Sequence, residues 1–139
     1  ELCRYAPIFS DKIENVEHLY GNSQDFDFSN YYGKFDMVFI DGDHHYKSVK
    51  NDTKTAFKLL KDDNGIIVWH DYAYESETVR WSVLAAILDS VPEDKRENIY
   101  HISNTLCAVY INEELITKEL KANDKPNHWF EVNIKVKRS

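Results

Sequence analysis

The sequence is poor in several features that define common protein classes. Its two cysteines, Cys3 and Cys107, are too few for a disulfide framework and match no metal-binding spacing, so we expect reduced core thiols in a cytoplasmic protein. No apolar run approaches the ~20 residues that a membrane-spanning helix requires, and no signal-like segment opens the chain. The sequence therefore predicts a soluble protein rather than a disulfide-stapled or membrane-spanning one.

Positive charge is also scarce relative to negative charge. Seventeen basic residues against twenty-four acidic ones leave a net charge of −7, and no basic cluster offsets it locally. Such a chain repels phosphate backbones and anionic lipids, so neither nucleic acid nor a membrane is an expected partner. With a hydrophobic fraction of 42%, we predict one domain over residues 1–139.

The sequence is also poor in glycine. The chain has four glycines, Gly21, Gly33, Gly42 and Gly65, and no G-x-G-x-x-G turn of the kind that binds a dinucleotide. It also contains no repeat and no low-complexity tract. Its organisation has to be predicted from hydrophobic periodicity and from residues that favour turns.

What the chain does contain is an alternation of apolar strands and amphipathic helices. The strands are predicted in "NVEHLYGNS", with Val16 and Leu19 as core residues, in "FDMVFI", in "GIIVW", and in a hairpin of "NIYHI" and "LCAVYI" around "SNT"; "HWFEVNIKV" is a candidate edge strand. Helical spacing of apolar residues predicts one helix over residues 46–60, stopped by Asn64-Gly65, and a second over about residues 76–90.

The order strand, helix, strand implies a parallel pair with a right-handed crossover, and therefore an α/β fold. The continuous apolar runs "FDMVFI" and "GIIVW" are typical of parallel strands that are covered on both faces. Polar clusters follow three predicted strands: "GNSQD", "DGDHHY" and "HDY". Because parallel strands end at the same edge of a sheet, where ligands commonly bind, these clusters are expected to share one rim.

The rim would bring together carboxylates and imidazoles, which are metal ligands. The candidates are Asp41, Asp43, His44, His45, His70 and Asp71. Carboxylates suit Mg or Mn, and an imidazole shifts the preference toward Mn, Fe or Zn, so the metal stays open. Asp43 has an equally good alternative use, because an acid just before the helix at Tyr46 can satisfy free N–H groups.

The segments "GNSQDF", "FDMVFIDGDHHY" and "GIIVWHDY", in this order and spacing, resemble the second half of a class I S-adenosylmethionine-dependent methyltransferase. The likeness is closest to metal-dependent O-methyltransferases of the catechol and caffeoyl-coenzyme A kind and to small bacterial enzymes with "DGDH" and "HDY". It covers roughly residues 16–111. It implies a Rossmann-like, mostly parallel sheet with a terminal antiparallel hairpin.

The resemblance also implies roles for individual residues. Asp41 corresponds to the first metal carboxylate, and His70 with Asp71 to the adjacent acid and amide ligands, although a histidine in place of the acid is a departure. His44 stands where relatives carry the lysine that takes the substrate proton, and Asp43 is the competing base. His45 is left as a supporting or solvent-exposed residue.

Cofactor binding is implied for a different segment. Asn22, Ser23 and Gln24 stand where the relatives use "ASQ" to hold the adenine ring, although on composition alone Ser23 and Gln24 are equally good turn residues. The glycine-rich turn and the acid that hold the rest of the cofactor in that family have no counterpart, so we expect a partial domain that is inactive by itself. Its sheet would expose one strand edge, which a second copy of the chain could cover.

The function implied by the resemblance is methyl transfer from S-adenosylmethionine to the hydroxyl of a small molecule, assisted by a divalent metal, Mg or Mn by preference. Two alternatives stay open. A binding or scaffold domain could have kept the fold without catalysis, and the absent glycine-rich turn favours that reading. A metal-dependent hydrolase or oxygenase could use the same acid and histidine cluster, but "GNSQD" would then have no task.

Overall fold

The computed structural model describes residue 10, residues 13–76 and residues 78–117. The candidate strand in "HWFEVNIKV" and Cys3 lie outside the described residues, whereas Cys107 is a half-buried free thiol. In the part of the chain that is described, no helix is both long enough and apolar enough to cross a membrane.

The architecture is a four-stranded mixed sheet with two helices and a small hairpin. In chain order the elements are β1 (Met37–Ile40), α1 (Tyr46–Leu59), β2 (Ile66–Trp69), β3 (Ala73–Glu75), β4 (Thr78–Val79), α2 (Trp81–Leu88), β5 (Ile99–His101) and β6 (Ala108–Tyr110), with short 3-10 turns at Ser29–Tyr31 and Glu93–Asn98. The main sheet has the order β1-β2-β6-β5, and β3 pairs with β4 separately. Strands β1 and β2 are parallel, whereas β6 is antiparallel to both β2 and β5. The predicted α/β fold, the parallel pair and the terminal hairpin are confirmed.

One face of the sheet carries the core. Ile67, Trp69, Ala108 and Tyr110 are at most 1% exposed, and they pack with buried residues of both helices, including Val49 of α1. The buried residues of α1 are Val49, Thr53, Ala56 and Leu59. These positions recur every three or four residues, which places them on one stripe of a helix.

The first helix ends earlier than the predicted Asn64-Gly65 stop. It ends at Leu59, because Leu60 leaves the helix to form a parallel bridge with Phe35 beside β1. Gly65 has a different use: a Cβ atom at this position would lie 2.7 Å from a methyl carbon of Leu60. A glycine is therefore needed for the close approach of the turn to Leu60.

The prediction of a strand in "NVEHLYGNS" is wrong. Residues 16–20 form no strand, and Val16 and Leu19 are 40% and 45% exposed. A strand needs a neighbour for its backbone groups, and within the described residues β1 pairs as a strand only with β2, so its other edge has no strand alongside. The short apolar pattern was not sufficient to create that pairing.

The second helix and the cover of β1 also differ from expectation. The helix starts at Trp81 rather than near Ser76, because the preceding residues pair as β3 and β4.

On β1, Met37 and Phe39 are 57% and 52% exposed, so within the described chain this strand is covered on one face only. The continuous apolar run of β1 therefore did not indicate that the strand is buried on both faces.

Candidate functional site

The parallel pair β1 and β2 places Asp41 beside His70. Ile40 and Trp69 are register partners at the ends of these strands, and the following residue in each chain segment is Asp41 and His70. The backbone N–H of His70 donates a hydrogen bond of 2.9 Å to the carbonyl of Ile40, which holds the two ends together. Strand pairing thus fixes where both side chains leave the sheet.

Asp41, His70 and Asp71 converge at this rim. The Nδ1 atom of His70 lies 3.0 Å from Oδ1 of Asp41 and 3.2 Å from Oδ2 of Asp71. Each residue offers one ligand atom, and these three atoms lie within 4.8 Å of one another. Their side chains are 52%, 35% and 28% exposed in the order Asp41, His70, Asp71, so the cluster is open to solvent on one side.

The polar atoms of this cluster are close together but incompletely paired. Nδ1 of His70 is shielded from solvent, and no group in the described part of the chain forms a hydrogen bond with it. Both carboxylate oxygens are within reach, yet the ring nitrogen is not aligned for a hydrogen bond to either. A shielded nitrogen without such a bond is costly in a purely structural cluster, whereas a cation between the three residues would satisfy it.

The backbone of Asp71 supports the same interpretation. Its φ is 53°, in the left-handed region that non-glycine residues seldom occupy, although aspartate tolerates it better than most. Unfavourable backbone conformations of this kind concentrate at functional sites. In this conformation Oδ2 of Asp71 lies 3.2 Å from Nδ1 of His70.

Both carboxylate oxygens of Asp43 accept hydrogen bonds from residues close by in the sequence. Its Oδ2 accepts a hydrogen bond of 2.7 Å from the hydroxyl of Ser48, and its Oδ1 accepts one of 3.1 Å from the backbone N–H of His45 and also contacts Nδ1 of that residue. The Ser48 hydroxyl, followed by the His45 ring, lowers the pKa of Asp43 from 3.8 to about 2. Both oxygens therefore hold the loop that enters α1, which agrees with the structural use of Asp43 and argues against its use as a base.

His44 and His45 differ in their surroundings. His44 lines a narrow cavity together with His70 and Asp71. The ring of His45 stacks on that of His44, with centroids 5.9 Å apart, and its side chain is 82% exposed. Of these two imidazoles, His44 is the one that lines this cavity of about 10 Å³ with His70 and Asp71; Asp43 lines it as well, whereas Asp41 does not.

The "NSQ" segment lies beside the same rim. A cavity of about 320 Å³ is lined by Ser23, by Asp41 and Gly42 of the rim, and by apolar side chains that include Phe28 and Val38. The wall of this cavity is mostly apolar, and Ser23, Asp41 and Asp52 are among its polar lining residues.

Asn22 and Gln24 make defined contacts around that cavity. The side-chain oxygen of Asn22 accepts a hydrogen bond of 3.1 Å from the backbone N–H of Gln24, and its amide nitrogen donates one of 3.2 Å to Asp25, so Asn22 shapes the turn. The side-chain amide of Gln24 donates a hydrogen bond of 3.4 Å to Asp52 of α1. Sequence reasoning missed Asp52, because no spacing or motif connects it with a segment twenty-eight residues earlier.

Comparison with known proteins gives one match. Residues 7–72 match a family model described as a methyltransferase domain. The matched part contains the "NSQ" segment, β1, α1, β2 and the three residues of the Asp41 cluster, whereas the C-terminal hairpin lies outside it. The searches of the curated proteins and of the solved structures each returned no match. Residues 7–72 are therefore similar to a methyltransferase domain, and methyl transfer is the general function that this match supports.

Proposed function

We propose that this partial class I methyltransferase-like domain belongs to a protein that methylates the hydroxyl group of a small molecule, with S-adenosylmethionine as the donor and a divalent metal ion as an aid. The observation that carries the proposal is the rim itself. Asp41, His70 and Asp71 converge within 4.8 Å, and Asp41 also lines the cavity that contains Ser23. The proposed cation site and the cavity of about 320 Å³ thus share one residue, Asp41.

The donor set of the rim fits a divalent ion. Asp41, His70 and Asp71 would hold it: Nδ1 of His70 lies 3.0 Å and 3.2 Å from the two carboxylates without forming a hydrogen bond within the described chain, and a cation would bind all three residues. When bound, the ion would lower the pKa of the acceptor hydroxyl and hold its oxygen in place. Carboxylate oxygens favour Mg or Mn among the available ions, with the imidazole favouring the latter.

The cofactor would use the "NSQ" segment. Ser23 lines the cavity and Gln24 stands next to it, while Asn22 holds the turn through the backbone N–H of Gln24. The apolar wall with Phe28 and Val38 offers the flat contact that an adenine ring requires. A site that excludes water from the reacting groups favours transfer, because the positive sulfonium and the negative oxygen neutralise each other during the reaction.

The proton of the acceptor hydroxyl has to be removed, and His44 is the proposed base. Both His44 and Asp43 line the small cavity next to His70 and Asp71, but both oxygens of Asp43 are engaged by Ser48 and His45. An imidazole accepts a proton readily near neutral pH. The acceptor oxygen forms a bond to the methyl carbon, the carbon–sulfur bond breaks with its electron pair on sulfur, and the proton passes to His44.

The test is ligand-dependent stabilisation of the full-length protein, including any residues encoded upstream of Glu1. At about one hundred times its dissociation constant, a ligand raises the free energy of unfolding by ~2.7 kcal/mol. We expect such an increase with S-adenosylhomocysteine, and a further one with Mn or Mg. No response to the nucleoside, with a response to iron, would favour an oxygenase; no response to either would favour a non-catalytic domain.

A further inference from the structure

Another cavity, with a volume of about 270 Å³, lies at the end of α1 that is remote from the rim. The rim stands near the first residue of α1, Tyr46, whereas Phe57 and Leu60 line this cavity at the end of the helix. A helix of fourteen residues is about 20 Å long, so the cavity is well separated from the Asp41 cluster. The proposed methyl transfer gives this cavity no task.

The polar part of the cavity lining carries charges of both signs. Nζ of Lys95 donates a hydrogen bond of 2.6 Å to Oδ1 of Asp63 and one of 3.4 Å to the hydroxyl of Tyr110. The side chain of Lys95 is 23% exposed and that of Asp63 is 80% exposed, so the ammonium group is more enclosed than its carboxylate partner. Asp62 adds another carboxylate, whose Oδ1 accepts a hydrogen bond of 2.9 Å from the backbone N–H of Asn64.

The rest of the lining is apolar and is held by the core. It consists of Phe57, Leu60 and Pro92. The ring of Phe57 packs edge-on against that of Tyr110, with the centroids 5.0 Å apart, and Tyr110 and Leu60 are 0% and 8% exposed. The cavity therefore combines a fixed apolar wall with an ammonium group, a phenol and two carboxylates.

We propose that this cavity binds an apolar α-amino acid. The carboxylate of the ligand accepts hydrogen bonds from Nζ of Lys95 and from the hydroxyl of Tyr110. The ammonium group of the ligand donates to the carboxylate of Asp63, and the side chain of the ligand packs against the apolar wall. This binding site is independent of the proposed methyl transfer.

The balance of charge favours a zwitterion over an anion. In the free protein Lys95 is paired with Asp63. A zwitterion replaces this pair by two pairs, one between Lys95 and the ligand carboxylate and one between Asp63 and the ligand ammonium group, and the net charge of the site is unchanged. An anion would instead add a negative charge beside the two carboxylates of the lining, where like charges repel.

The hydroxyl of Tyr110 is placed to assist Lys95. A phenol can accept one hydrogen bond and donate another. Because the oxygen of Tyr110 accepts from Nζ of Lys95, its own hydrogen can be donated to a ligand. Two donors thus converge on the position of one carboxylate. The volume of the cavity is slightly below the ~300–1,000 Å³ of common ligand sites, which suits a ligand as small as an amino acid.

The experiment measures the binding of four probes to the full-length protein by titration calorimetry. The probes are L-phenylalanine, phenylpropionate, which lacks the amino group, phenylethylamine, which lacks the carboxylate, and glycine, which lacks the apolar side chain. We expect phenylalanine to bind with a dissociation constant on the order of 1 mM, as small ligands of this size do. Phenylpropionate and phenylethylamine should each bind roughly tenfold more weakly or worse, because each loses charge-assisted hydrogen bonds, and glycine should show no binding.

Two variants test the roles of the charged residues. Lys95→Met keeps an unbranched side chain without the charge and should weaken phenylalanine binding by roughly tenfold or more. Asp63→Asn removes the partner of the ligand ammonium group and should shift the preference between phenylalanine and phenylpropionate toward phenylpropionate by roughly tenfold. The matched control is Lys61→Met, because the side chain of Lys61 is 61% exposed and lies outside the cavity lining, and this variant should bind all probes like the unsubstituted protein.

Several outcomes would overturn the inference. They are an absence of phenylalanine binding by the unsubstituted protein, equal affinities for phenylalanine and phenylpropionate, and unchanged binding in Lys95→Met. Should Lys95→Met fail to fold, the exposed position of Asp63 still allows the decision, and an unchanged preference in Asp63→Asn would then overturn the inference. None of these outcomes bears on the methyl-transfer proposal, because the lining residues of this cavity differ from those of the rim and of the cavity that contains Ser23.

Discussion

Trp69 and His70 are neighbours in sequence, yet their polar atoms have opposite environments. Nε1 of Trp69 donates a buried hydrogen bond of 2.9 Å to the hydroxyl of Thr53, whereas Nδ1 of His70 is shielded and has no hydrogen bond within the described chain. Trp69 is 1% exposed and His70 is part of an open rim. The last residue of β2 thus contributes to stability, while the next residue leaves a polar atom available for a ligand.

The comparison separates two kinds of effect that a substitution can have. Satisfying a buried polar group stabilises the fold, and its loss is expected to appear in the free energy of unfolding. The polar atoms of the rim are incompletely paired, so substituting a rim residue should change the free energy of unfolding little. The effect of such a substitution is expected to appear in ligand binding and activity. Three predictions test this division.

The largest effect is expected for Asp41→Asn. Removing the charged ligand of the proposed metal site should lower metal-dependent methyl transfer by more than about a hundredfold, since even residues that only support metal ligands contribute up to that much. Because Asp41 is half-exposed, the free energy of unfolding should change by less than about 0.5 kcal/mol. Activity assays and chemical denaturation measure the two quantities, and Asp36→Asn is the matched surface control. A large loss of stability would instead make Asp41 structural.

The second effect concerns Thr53→Val, which keeps the shape of the side chain and removes the hydroxyl that pairs with Trp69. The buried indole N–H would lose its partner, at a cost of about 1–3 kcal/mol. Chemical denaturation of Thr53→Val and of Thr55→Val, two positions along α1, gives the comparison, and only the first should be strongly destabilised. Equal losses in both variants would show that helix propensity, and not the Trp69 hydrogen bond, is responsible.

The smallest effect is the pH dependence that Asp43 adds to stability. Its pKa in the folded state is about 2, below the ordinary 3.8, so its stabilising contribution is fully present above about pH 4 and is lost as the pH falls toward 2. Asp43→Asn should flatten the fall of the unfolding free energy in that window, and Ser48→Ala should do so in part. Identical pH profiles for the variants and the unsubstituted protein would contradict this role of the Asp43 carboxylate.

The sequence predicted most of the fold where apolar residues were dense. Strands β1 and β2, helix α1 and the hairpin of β5 and β6 were predicted from continuous runs or helical spacing. The predictions were wrong where a pairing strand mattered more than the hydrophobic pattern of the segment itself. Residues 16–20 have no strand to pair with among the described residues, and residues 73–79 include β3 and β4 instead of a helical turn. Backbone pairing between distant segments has little local signal, so periodicity could not decide these cases.

The candidate site divides in the same way. Asp41, His70 and Asp71 could be named in advance, because each follows an apolar strand and parallel strands end on one edge. The engagement of Asp43 by Ser48, the shared cavity of His44, and the contact of Gln24 with Asp52 could not. Those depend on side-chain directions at the entry to α1 and on how that helix packs beside the "NSQ" turn.

The order of elements and the residue types at the strand ends were determined by the sequence alone, because apolar spacing and abrupt changes to charge are local properties of the chain. Only the tertiary structure decided which polar atoms form hydrogen bonds. Trp69 donates one to Thr53 and Asp43 accepts one from Ser48, whereas Nδ1 of His70 forms none within the described residues. Hydrogen bonds require alignment within a few tenths of an ångström between groups that are far apart in sequence, and packing alone sets that alignment.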